Sequence, residues 1–179
     1  MITPISKWIR IYYNKVTGSI AFLPGIIAFV FLLLIWAMLV VDFSDWGQNV
    51  KTDLSWLRIR DASTARSLVS TVAAAIISLT VFSFSMVMIV LNQAASQMSN
   101  RVLNRMIENR FQQWILGFYI GTIVYALLLL STIRDNSNGV TVPSISIYIL
   151  IVLTVINIFL FIYFLDYVTK TVRYETVIG

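Results

Sequence analysis

Residues 67–100 read SLVSTVAAAIISLTVFSFSMVMIVLNQAASQMSN, a run of 34 residues without one charged side chain. A helix rises ~1.5 Å per residue, so the run reaches roughly 50 Å against a hydrocarbon core of roughly 30 Å. A membrane helix that continues beyond the bilayer accommodates it. Three more uncharged runs accompany it, Ser19 to Val41, Trp114 to Ile133 and Ile145 to Leu165. Each has the length of about 20 residues that crosses a bilayer as a helix. The expected spans are 19–41, 67–92, 114–133 and 145–166. The fold class is therefore all-α, an integral membrane protein whose four transmembrane helices form one domain over residues 19–179.

Composition excludes most alternatives. The chain is 59% hydrophobic and 12% charged, with a mean hydropathy of +0.85; a soluble domain carries about twice that charge. The net charge of +5 does not point to nucleic acid, because the basic residues flank the apolar runs instead of forming one patch. The absence of Cys and His removes thiolate, imidazole, disulfide and zinc-finger chemistry together. No acid or base lies within the core of a span, which argues against a carboxylate proton relay or an arginine voltage sensor. A Gly-rich phosphate loop is also missing. The chain reads as a non-enzyme, with no cofactor and no metal.

Basic residues assign the sides. Lys7, Arg10, Lys15, Arg101, Arg105, Arg110, Lys170 and Arg173 fall on one side; Lys51, Arg58, Arg60, Arg66 and Arg134 fall on the other. The richer side is cytoplasmic, so both termini are expected in the cytoplasm. Residues 1–18 place Ile5, Trp8, Ile9, Tyr12 and Val16 at three- and four-residue steps, with Lys7, Arg10 and Lys15 off that stripe. This predicts an amphipathic helix lying at the interface; an aromatic belt of Trp8, Tyr12 and Tyr13 is the alternative.

The second span carries the informative pattern. Thr71, Ser78, Ser85, Asn92 and Ser99 recur every seventh residue, with Ser67 and Ser96 beside them. A seven-residue step drifts only ~20° on a straight helix, so these residues make one continuous stripe. Polar residues in membrane helices face protein or water, not lipid. In one reading copies of this helix surround an axis and the seven residues line a pore, whose uncharged oxygens suit a partly dehydrated cation. Between the rungs, Phe82, Met88 and Ile89 are then a candidate hydrophobic gate. In the other reading small hydroxyl residues bond back to their own helix and let a neighbour pack closely. Asn92 and Gln93 favour the first, since carboxamides satisfy themselves locally less easily. Beyond the stripe, Val102, Met106 and Ile107 alternate with Arg101, Arg105 and Arg110 as in a helical collar or linker.

Gly117 and Gly121 stand at GxxxG spacing in the third span and predict close helix packing. The fourth span holds Thr154 and Asn157 mid-length, and Asp166 four residues before Lys170, the favourable order for a helix ion pair.

Four segments resemble a known family: Ala65-Arg66-Ser67-Leu68-Val69-Ser70-Thr71, Phe82-Ser83-Phe84-Ser85, Gln93-Ala94-Ala95-Ser96-Gln97-Met98-Ser99-Asn100-Arg101, and Leu116-Gly117-Phe118-Tyr119-Ile120-Gly121-Thr122. They are similar to the bacterial predicted membrane proteins termed domain of unknown function 2254, over roughly Ala65 to Tyr125. The resemblance implies a multi-pass protein of the bacterial inner membrane. It also implies longer members with a soluble C-terminal region, and a Pro where this chain has Asn100. No activity is assigned to that family, so no catalytic residue is carried over.

The expected function is a homo-oligomeric, cation-conducting channel lined by the second span. Its partners are the lipid bilayer, copies of itself in a closed ring and inorganic cations. The alternative is a non-conducting scaffold or sensor domain anchoring a cytoplasmic region. A lipid- or solute-handling protein comes third.

Overall fold

The structure is a computed structural model that describes residues 22–53, 59, 61–97, 110–136 and 139–175. The segment 1–18 and the collar positions Arg101, Val102, Arg105, Met106 and Ile107 lie outside the described residues. In chain order the elements are α1 (Phe22–Phe43), α2 (Asp45–Asp53), α3 (Ala62–Gln97), α4 (Arg110–Thr132), β1 (Arg134–Asn136), β2 (Gly139–Thr141) and α5 (Ser144–Glu175). Four of these helices are long and apolar enough to cross a membrane: over Phe22–Phe43, Ala62–Val90, Phe111–Thr132 and Ser144–Lys170. Apolar side chains such as Phe29 and Trp36 on α1 and Val152 and Phe159 on α5 are exposed. Apolar surface that extensive is what acyl chains cover.

Local chemistry sets the helix starts. Pro24 lies within the first turn of α1, where an N–H has no partner four residues back and its loss costs nothing. α3 begins at Ala62, five residues before the expected span, because Asp61 caps it. The Asp61 carboxylate accepts the Thr64 hydroxyl at 2.5 Å, the Thr64 N–H at 2.9 Å and the Ser63 hydroxyl at 2.9 Å. Arg66, expected in a loop, is therefore helical, and its guanidinium donates to the Ile133 carbonyl just past α4 at 3.1 Å. A cation there complements the negative end of the helix dipole.

The Thr64 hydroxyl, then the Thr64 N–H and the Ser63 donors, lower the Asp61 carboxyl from 3.8 to about 2. A depressed folded-state value means the cap contributes fully above pH ~4 and is lost as pH falls through ~2. The Asp61 carboxyl carbon, followed by NMR, is expected to titrate near 2, and Thr64→Ala should move it back toward 3.8. A wild-type midpoint at the ordinary carboxylate value would show that the cap does not form.

α4 is the central helix, packed against α1, α3 and α5. Its closest approach is to α1. A Cβ added at Gly117 would lie 2.5 Å from Ile27 Cδ1 and 3.1 Å from Pro24 Cα, and one at Gly121 would lie 2.7 Å from the Phe31 ring. The Phe31 ring in turn meets Phe118 edge-on at 5.6 Å. Ile27, Phe31 and Ile35 on α1, Val69 and Ala73 on α3, Tyr125 and Leu129 on α4 and Leu150 on α5 share one buried cluster. Ile76, Ile115, Tyr119, Phe164 and Val168 form a second.

Between α4 and α5 the chain makes a short antiparallel hairpin, pairing Arg134 with Thr141, Asp135 with Val140 and Asn136 with Gly139. The hairpin and α2 sit at the same end of the bundle, here called the hairpin end. The short helix α2 folds back on α1 through Gly47, where a Cβ would fall 2.1 Å from the Val41 carbonyl oxygen. The Ser44 hydroxyl, accepting the Gly47 N–H at 3.2 Å, caps it.

Candidate functional site

Burial along α3 is one-sided. Ala62, Ala65, Val69, Ala73, Ile76 and Ser83 are buried, spaced by three, four and seven residues so that they share a face. At ~100° per residue, Thr71, Ser78, Ser85 and Asn92 fall roughly opposite that face. They and Ser67 are exposed. The stripe is thus brought onto the chain's surface along the side that no other described helix covers. Ser67 and Thr71 join Ser63, Thr64, Leu68 and Val72 around an open depression of about 530 Å³ near the hairpin end.

Each hydroxyl rung bonds to its own helix. Thr71 donates to the Ser67 carbonyl at 2.7 Å, Ser78 to Ala74 at 2.9 Å and Ser85 to Val81 at 2.9 Å. Off the stripe Ser70 does the same. With its proton committed to the backbone, each oxygen turns only lone pairs outward. The exposed hydroxyl rungs Thr71, Ser78 and Ser85 are therefore acceptors, whereas Asn92 also offers an amide donor. Phe82, Met88 and Ile89 are exposed beside them, and Phe82 makes an edge contact with Phe161 of α5 at 5.8 Å. The Ser96 side chain and Ser99 lie outside the described residues.

On α5, Thr154 donates to the Leu150 carbonyl at 2.7 Å, and Lys170 pairs with Asp166 at 2.7 Å on the surface. Exposed pairs of this kind contribute little.

Sequence reasoning missed a buried charge centre at the hairpin end. Asp42, expected in a loop, is the penultimate residue of α1 and fully buried; Lys51 of α2 is nearly so. Their charges meet at 2.6 Å, and the same ammonium donates to the Asp42 carbonyl at 2.8 Å. The carboxylate also accepts the Ile145 N–H at 3.2 Å, the Ser146 N–H at 2.7 Å and the Ser146 hydroxyl at 2.5 Å. Asp42 is therefore a cap for α5 supplied from more than 100 residues away, placed where the helix dipole favours a negative charge. One cue was available: Asp42 stands flush against an apolar run. Nothing in the local sequence shows what it caps.

A model of the family described as predicted membrane protein (DUF2254) matches residues 17–179. The chain belongs to this family. Neither a curated protein nor a solved structure matches significantly. The DUF2254 assignment agrees with the four apolar helices and carries no activity with it, so the functional reading rests on the exposed face of α3 and on the buried groups behind it.

Proposed function

We propose that this DUF2254 protein is a non-enzymatic, self-associating protein of the bacterial inner membrane, with both termini cytoplasmic. In this reading the hydroxyl faces of α3 from several protomers surround a path for small cations. The observation that carries it is the exposure of Ser67, Thr71, Ser78, Ser85 and Asn92 opposite the packed face of the same helix. A polar stripe that the protomer leaves uncovered needs protein or water in front of it. Identical faces meeting around a closed symmetry axis supply both. The outward lone pairs of the back-bonded hydroxyls suit a cation, and no Lys or Arg stands among the rungs to suit an anion. Phe82 and Ile89 lie at the narrow levels between rungs, where apolar side chains gate by dewetting. The distribution of basic residues supports the orientation.

The back-bonding is equally compatible with dry packing of α3 against a neighbour, the arrangement of a non-conducting scaffold. Two measurements on the full chain separate the readings. Cysteines at Thr71, Ser78, Ser85 and Asn92 are expected to react with a water-borne thiol reagent, whereas cysteines at the lipid-facing Val152 and Phe159 stay inert. Purified protein in planar bilayers is expected to give unitary cation currents that Ser78→Leu reduces severalfold. Disulfide crosslinks between protomers at Ser78→Cys, combined with no reagent access and no current, would establish the scaffold instead.

A further inference from the structure

Another polar feature runs inside the protomer. Tyr119, Thr122 and Tyr125 recur at three-residue steps on α4, and all three are fully buried. Tyr125 donates to the Ser146 carbonyl at 3.1 Å, so this column starts at the residue that also holds Asp42. One level further in, the Asn157 carboxamide donates to the Thr122 hydroxyl oxygen at 2.7 Å. Deeper still, the Tyr119 hydroxyl approaches that of Ser83 on α3 without reaching hydrogen-bond geometry. The outer rung is closed, but the inner ones are not. Among the described residues Ser83 Oγ, Tyr119 OH and Asn157 Oδ1 have no hydrogen-bond partner, although their residues are only 6%, 0% and 0% exposed. They stand on α3, α4 and α5, three helices in mutual contact.

Turning the carboxamide over does not relieve this. Thr122 commits its proton to the Phe118 carbonyl at 2.8 Å, so its oxygen can only accept and Asn157 must offer it the NH2 group. The Asn157 oxygen is left needing a donor.

We propose that the inner end of this column is an internal water site, in which one or a few waters link Asn157 Oδ1 to the Tyr119 and Ser83 hydroxyls. The chemistry fits water: one group is an acceptor in want of a donor, two both give and accept, and all are neutral. Spacing argues against one cation held by all three. Asn157 is 13 residues into α5 and Tyr119 is 13 residues from the end of α4 (157 − 144 and 132 − 119), so their backbones lie at one level. From that level Asn157 reaches to Thr122 while Tyr119 reaches across to Ser83 on α3, so the carboxamide and the tyrosine hydroxyl turn to different partners, a gap that hydrogen-bonded water bridges and a single ion does not. The site lies within one protomer, so it stands or falls independently of any assembly through α3.

The test uses the full chain in deuterated-lipid nanodiscs, with the Asn157 side-chain amide assigned by NMR. Cross-relaxation between that amide and water is expected in the wild type, with intensity reduced at least twofold in Tyr119→Phe. A wild-type amide with no water cross-peak means a dry seam and overturns the proposal, whether or not the variant folds. An Asn157 shift that follows sodium or potassium concentration assigns the site to a cation and overturns it as well. An undiminished cross-peak in folded Tyr119→Phe removes Tyr119 from the site and overturns the three-residue assignment.

Discussion

Asp42→Ala is expected to lower the unfolding free energy by about 3–5 kcal/mol, the range for removing one partner of a buried ion pair. Two losses coincide. Lys51 is left in a nearly closed position with its counter-ion gone, and α5 loses the acceptor for its first-turn N–H groups. Variants that remove one loss at a time apportion the two. Asp42→Asn retains an oxygen for Ser146 but cannot neutralise Lys51, so most of the cost should persist. Adding Lys51→Met to Asp42→Ala removes the orphaned ammonium and should recover part of the loss, since a buried pair replaced by apolar groups is often near neutral. Denaturant unfolding in detergent, analysed as a double-mutant cycle, provides the coupling. An Asp42→Ala protein within ~0.5 kcal/mol of wild type, the ordinary surface-substitution range, would show the pair to be open to water.

The second large effect concerns the seam between α1 and α4. Gly121→Ala is expected to cost about 1–3 kcal/mol, the usual penalty for overfilling a packed interior, because the added methyl meets the Phe31 ring. Gly117→Ala should lie at the upper end of that range. Its new methyl meets the α1 backbone at Pro24 Cα as well as Ile27, and backbone yields less readily than a side-chain tip. Gly25→Ala is the control, since no described residue lies within 4 Å of its added carbon, and it should gain up to about 1 kcal/mol from helix propensity. Equal melting temperatures for the three variants would contradict the close approach of these helices.

Much of this architecture is written into the chain, and the reasons differ by element. The four spans are legible because uncharged runs of bilayer length have few other uses in water or lipid. Helix ends were less so. The sequence places Arg66 in a loop, yet Asp61 starts α3 earlier and Arg66 becomes the partner of a carbonyl 67 residues away. The seven-residue spacing of Thr71, Ser78, Ser85 and Asn92 showed that these residues share a side, but spacing cannot say what lies opposite. That depended on Val69, Ala73 and Ile76 filling the core from the other side of the same helix. Asp42, Lys51 and Ser146 stayed hidden because their meeting is wholly tertiary. Tyr119 and Ser83 stayed hidden for the same reason, as residue types that read as ordinary filling in an apolar run.

The Asp42 cap also constrains how the chain is made. Ribosomes deliver α1 and α2 before α5, so Asp42 and Lys51 enter the insertion machinery ahead of the amides that complete their site. Ile145 and Ser146, whose amides complete the carboxylate's shell, emerge about five to twenty seconds later at ordinary elongation rates. During biogenesis the corner between α1 and α2 therefore waits with its carboxylate shell incomplete, and α5, translated after them, is the helix that locks it.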